Sequence, residues 1–183
     1  VFRDGRWQSL GLAAMVRPLT VSFGPPFDRR ACVPMGLAEM DDLSEQIPSL
    51  RETGFYVGGF NWFTDWLVSP VVVLGLKVAP RRLLGPMARL LFWSMCRFAR
   101  PPYGLVLQLE AAGQRAGAAH TLTLRLAHPD GYAFTAIPTV ACLRQWLAGE
   151  RPAGLWFQAQ FVAPEPFLRD MVAMGVAMTQ VEG

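Results

Sequence analysis

Two runs of strict alternation, one on either side of residue 115, restrict what this chain can fold into more than any other feature. Tyr103, Leu105, Leu107 and Leu109 alternate with Gly104, Val106, Gln108 and Glu110, while Leu122, Leu124 and Leu126 alternate with Thr121, Thr123 and Arg125. A period of two puts successive side chains on opposite faces of a strand. The two runs, joined by a short loop containing Gly113 and Gly117, therefore predict an antiparallel hairpin with one apolar and one polar face. Pro129-Asp130-Gly131 is a second turn, after which Tyr132 to Phe134 is expected to return as a third strand and complete a meander.

The remaining segments attach to this framework. Asp4-Gly5, flanked by short apolar residues in Val1 to Trp7, signals a tight hairpin. Arg17 to Phe23 reads as a strand stopped by Gly24-Pro25-Pro26, Ala38 to Leu43 as a short helix, and Ser49 to Gly58 as an extended segment ending at Gly58-Gly59. From Asn61 the spacing turns helical, with breaks at Ser69-Pro70 and Ala79-Pro80, so two helices are expected to meet near Pro80. On the second, Arg89, Arg97 and Arg100 share a sector of about 80°, and Leu90, Leu91, Trp93, Met95 and Phe98 occupy much of the rest. Thr135 is placed to cap a helix running through Pro138, with Val140, Ala141, Trp146 and Leu147 inward and Gly149 just past its end. Gly154 to Val162 reads as extended, Pro164 to Met174 as a last helix closed by Gly175, and Val176 to Val181 as a final strand. The expected class is α+β: mostly antiparallel sheet built around a meander, with several helices inserted, including an apolar helical hairpin.

Composition sets the outer bounds. The chain has 183 residues, 52% hydrophobic and only 17% charged, with twelve Phe and six Trp, which excludes intrinsic disorder and is expected to fold as a single domain over 1–183. Cys32, Cys96 and Cys142 are odd in number and far apart, arguing for a reducing compartment and a cytoplasmic location. The net charge is +3, and the arginines are scattered with no basic tract, so nucleic acid is not an expected partner. Residues 60–99 are the most apolar, yet Asp65, Lys77, Arg81, Arg82, Arg89 and Arg97 interrupt them. The longest uncharged run, Trp66 to Leu76, falls short of the ~18 residues that a spanning helix needs. The start at Val1 rather than Met is read as a cut from a longer protein.

Motifs for chemistry are sparse. Gly58-Gly59 follows a strand and precedes a helix but lacks the third glycine and the downstream acid of a dinucleotide fingerprint, so close backbone packing at a turn is the simpler account. His120 and His128 are eight residues apart and no cysteine neighbours another, so no metal site is expected. Asp41 and Asp42 diverge by about 100° on a helix and do not form a shared-proton dyad. Arginine on a loop receives planar anions bidentately, and on that basis Arg51, Tyr56, Asn61 and Trp62 are the candidate wall of a substrate pocket.

The run Asp130-Gly131-Tyr132-Ala133-Phe134-Thr135-Ala136-Ile137-Pro138 is followed by an apolar helix, a Gly-containing loop from Gly149 to Gly154, and a Phe167-Leu168 helix ending in Gly175. This pattern resembles the C-terminal domain of the saccharopine dehydrogenase-like oxidoreductases. Val1 to Trp7 is similar to the first hairpin after that family's nucleotide-binding half, and Arg51 to Gly59 to its mid-domain strand. The resemblance implies a substrate-binding and dimerisation domain of a larger enzyme, with NAD or NADP held by an N-terminal Rossmann domain outside this chain. It implies hydride transfer at amino-acid-like substrates, a homodimer, and no turnover by this chain alone. The long apolar 60–99 stretch departs from the family pattern, and no catalytic residue can be carried over. Two other classes stay open: a module whose 60–99 hairpin lies on a membrane surface or takes a hydrophobic ligand, suggested by its mixture of Phe, Trp and Arg, and a purely structural dimerisation domain.

Overall fold

Asp4 and Gly5 both take positive φ, 50° and 74°, the geometry of a two-residue hairpin turn. Around them pair β1 (Phe2–Arg3) and β2 (Arg6–Trp7). The computed structural model describes residues 1–8, 18–149 and 153–183. The contacts gather into two compact units, Val1–Pro102 and Tyr103–Gly183. The α+β class holds, with the strands distributed over three separate three-stranded antiparallel sheets.

In the first unit, β1 also pairs with β5 (Glu52–Thr53). A second sheet is formed by β3 (Leu19–Ser22), β4 (Arg29–Met35) and β6 (Phe55–Gly58). The strand expected over 17–23 is thus the shorter β3, Arg17 lying outside the described residues. The helix expected over 38–43 is a 3-10 turn, Ala38–Met40, followed by α1 (Leu43–Gln46).

The helical hairpin is present. A π-helical turn, Thr64–Val68, runs directly into α2 (Ser69–Val78), and α3 (Pro80–Phe98) follows after Ala79. Ser69-Pro70 therefore changes the helix type without ending the helix: proline has no N–H to donate, and the wider turn before it accommodates the loss. Two fully buried hydroxyls join the turn to α3. Thr64 Oγ1 donates to Ser94 Oγ at 3.0 Å, and Ser94 Oγ donates to the Leu91 carbonyl at 2.8 Å. Beside them Phe63 stacks on Phe98 at 4.3 Å between ring centroids, and Trp93 meets Phe98 edge-on at 5.7 Å.

In the second unit the alternating runs become β7 (Leu105–Arg115) and β8 (Ala118–His128), paired along their whole length. The turn is tighter than expected. Ala116 and Gly117 take φ of 52° and 81° and close it with two residues, so Gly113 lies inside a strand. The third strand of the meander is β9 (Ala177–Glu182), not Tyr132 to Phe134. That segment opens α4 (Gly131–Ala148) because the Asp130 carboxylate accepts the backbone N–H groups of Tyr132 and Ala133, at 2.8 and 3.2 Å. Asp130, not Thr135, is the N-cap, and Pro138 consequently falls in the helix interior. The segment 154–162, expected to be extended, contains α5 (Gln158–Phe161), and α6 (Pro164–Ala173) precedes β9. The core lies where α4 and α6 cover one end of the sheet: Leu126, Phe134, Ile137, Ala141, Met171 and Val176 are buried together.

Since the buried Thr64 hydroxyl donates to Ser94 Oγ, which itself donates to the Leu91 carbonyl, removing the Ser94 hydroxyl takes away the acceptor of the Thr64 donor. Ser94→Ala should cost about 1–3 kcal/mol in chemical denaturation. Thr64→Val combined with Ser94→Ala should cost less than the two single changes together; strict additivity would show that the pair is not a coupled unit.

Candidate functional site

The diglycine expected to mark a tight turn does so because of a carboxylate six residues on. Asn61 begins the helical segment by accepting the Thr64 N–H on Oδ1 at 2.9 Å, an N-cap bond. That start brings Asp65 back over the turn, where its Oδ1 accepts the Phe60 N–H at 2.9 Å. A Cβ on Gly59 would overlap the Asp65 carboxylate, whereas one on Gly58 would only touch Cys32 Sγ at 3.5 Å. Gly59 is required by this close approach and Gly58 is not. Burial pushes the Asp65 carboxyl above the ordinary carboxylate range, even though the amides of Phe60 and Asn61 and the charge of Arg30 pull it down. Cys32, on the adjoining strand, is fully buried, and desolvation pushes its thiol up. It is a core residue without thiolate character.

The four candidate pocket residues all belong to this first unit. Arg51 is exposed just before β5, Tyr56 is half-buried in β6 opposite Pro34, and Trp62 is 69% exposed. Asn61 stands nearest the turn. Its Nδ2 is buried without a hydrogen-bond partner among the described residues, leaving one donor there to receive an acceptor. Arg3, which sequence reasoning passed over, lies beside them: its Nε donates to Glu52 Oε1 at 2.6 Å, and that bond raises the guanidinium pKa.

A groove of about 550 Å³ lies in the second unit instead, walled by Pro164, Leu168 and Val172 of α6 and Met178 of β9, with Glu165, Arg169 and Gln180 as its polar margin. Nothing in the periodicity of 164–174 announces it, because it forms only when β9 returns beside α6.

The histidines hold structural positions. His128 Nδ1 accepts the Asp130 N–H at 3.0 Å, steadying the corner from β8 into α4, and His120 Nε2 lies 3.7 Å from Glu182 Oε2. Among the described residues no group of three or more His, Cys, Asp or Glu is placed to hold a metal ion. Cys96 is exposed and Cys142 half-buried, both free.

The most extensive feature is the outer edge of β7, with which no other strand pairs among the described residues. Thr121 exchanges both backbone hydrogen bonds with Gly183, at 2.7 and 3.0 Å, so the odd-numbered residues of β8 turn their backbone groups to β9 and the even-numbered ones to β7. Through the register Leu105↔His128, Leu107↔Leu126 and Leu109↔Leu124, the inward-pairing residues of β7 are the leucines. Val106 and Glu110 then direct their N–H and C=O groups to the outer edge, where no strand pairs among the described residues. The leucines share a face with Leu126, yet the helices do not reach them: Leu105, Leu107 and Leu109 are 39%, 43% and 54% exposed.

Two measurements test the turn. Gly59→Ala should lower stability by about 1–3 kcal/mol through overpacking, while Gly58→Ala stays near neutral; equal effects would remove the carboxylate contact as the cause. Because the folded pKa of Asp65 is raised, its stabilising contribution is complete below the ordinary carboxylate range near pH ~4 and is lost as the pH rises through the raised value. The Tm of Asp65→Asn should therefore gain on that of the wild type between about pH 4 and pH 7, and a constant difference would contradict the shift.

No family model matches the chain, and no curated protein matches it.

Proposed function

We propose that this chain is a substrate-binding and dimerisation domain, of the kind found in saccharopine dehydrogenase-like oxidoreductases, and that it works with a nucleotide-binding half supplying NAD or NADP. The observation that carries the dimerisation part is the open edge of β7. An eleven-residue strand with no proline that stands at the edge of its sheet, no other strand pairing beyond it among the described residues, is a template for another strand. A second copy fits it by symmetry. With Leu109 facing its counterpart on a two-fold axis, Leu107 meets Ala111, and Gln108 stands opposite Glu110 in both directions. In that register the two leucine faces join into one.

The substrate-binding part is supported by the resemblance carried by Asp130 to Pro138, whose aspartate caps the helix it precedes, and by the apolar groove with Glu165 and Arg169 at its margin. An amino-acid-like molecule carries both charges that such a margin can receive.

Light scattering after size exclusion checks the reading. The chain should elute at about twice 20.2 kDa, and Leu107→Lys with Leu109→Lys should return it to monomer while preserving its circular dichroism. A monomer at high concentration sinks the dimer. Reading the gene upstream of Val1 checks the other half: a strand followed by G-x-G-x-x-G supports the oxidoreductase, and an unrelated domain there overturns it.

A further inference from the structure

The helical hairpin of the first unit concentrates the positive charge of the chain. Between Asp65 and Glu110 there is no acidic residue, while Lys77, Arg81, Arg82, Arg89, Arg97 and Arg100 all fall there. The whole chain is +3, so everything outside this stretch is net −3. All six cations are exposed, and none has an acidic partner among the described residues.

Apolar side chains stand in the open on the same two helices. Leu67, Val71, Leu74 and Val78 follow one another at spacings of four, three and four, which is a single stripe along the π turn and α2. Their exposure runs from 49% at Leu67 to 75% at Val78. On α3, Leu84, Phe92 and Trp93 are at least half exposed between the arginines.

We propose that this hairpin docks on an anionic lipid surface, lying in the headgroup region with the stripe and the α3 aromatics dipping into the acyl boundary and the arginines on lipid phosphates. A second copy is a poor occupant, because the symmetric contact would set six unpaired cations against six. No described helix is long and apolar enough to cross a membrane, and α3, about 28 Å long, carries Arg81, Arg82, Arg89 and Arg97. Arginine interleaved with tryptophan, phenylalanine and leucine suits the interface, where the guanidinium reaches phosphate while its stem and the neighbouring rings stay in apolar surroundings. This docking involves residues 66–100 only and does not depend on the β7 edge, so the two readings fail separately.

Flotation of the full chain with vesicles of phosphatidylcholine containing phosphatidylserine, against phosphatidylcholine alone, is the test. The chain should float with the anionic vesicles only, and the bound fraction should fall as salt is raised. Brominated lipid should quench the tryptophan emission. Arg89→Gln with Arg97→Gln should weaken partitioning by about twenty-five-fold, at about fivefold for each cation removed. Leu74→Glu with Val78→Glu should abolish it. Both pairs are exposed, so folding can be verified by circular dichroism, and Tyr132→Glu on the other unit should bind as the wild type does. Absence of flotation, equal binding to neutral vesicles, or unchanged binding by the Leu74/Val78 variant overturns the proposal. So does binding to polyglutamate without binding to vesicles, which would assign the face to an acidic protein.

Discussion

The first unit hangs on the contact between Thr64 and Ser94, two hydroxyls thirty residues apart with no access to water. In the apolar interior of a helical hairpin a buried hydroxyl is costly unless bonded, so the Thr64 bond to Ser94, which is held in turn by the Leu91 carbonyl, specifies which turn of α3 faces the π turn. That alignment seats Phe63 against Phe98 and turns Asp65, the next residue, toward the Gly59 backbone. It also determines what is left outside. With Thr64, Val68, Val72 and Ser94 facing in, Leu67, Val71, Leu74 and Val78 have nowhere to go but out.

The second unit obeys a different constraint. Its sheet has an apolar face wider than two helices can cover, and α4 and α6 sit over the β8 and β9 end, leaving the β7 leucines open. The two units therefore expose apolar surface of unlike character. One is a face of leucines along an edge strand, and the other is a helix face dotted with arginine.

Much of this was legible in the sequence wherever the determinant was local. The Asp4-Gly5 turn, the alternation of 105–109 and 122–126, the Pro80 junction and the closing helix and strand each depend on neighbours within a few residues. Misreadings occurred where a side chain acts a few positions away or a partner comes from far along the chain. Thr135 reads as a cap because its side-chain oxygen can accept a free amide at a helix start, but the Asp130 carboxylate takes the amides of Tyr132 and Ala133 and moves the helix start back by a full turn, converting an expected strand into helix. The true third strand, β9, lies fifty residues beyond β8, and no periodicity reveals a pairing of that separation. The diglycine was recognised as a tight turn, though the reason, a carboxylate folded back from Asp65, needed the helix to exist first. Of the proposed pocket wall, Asn61 alone offers a buried donor without a partner among the described residues, and the groove beside α6 is not legible because it exists only once β9 pairs with β8 and so returns alongside that helix.

The π turn at Thr64–Val68 makes the length of this segment as significant as its chemistry. A π turn is an α-helix that has accommodated one additional residue. Deleting Trp66 or Leu67 would restore regular winding but rotate everything upstream by about 100° relative to α2. Thr64 would swing away from Ser94, Asp65 from the glycine it overhangs, and Asn61 from its capping role, without any of those residues being replaced. Homologues of this chain should accordingly tolerate substitution along 64–68 far more readily than a change in its residue count, so that an alignment gap there marks a rearranged hairpin more surely than any difference in composition.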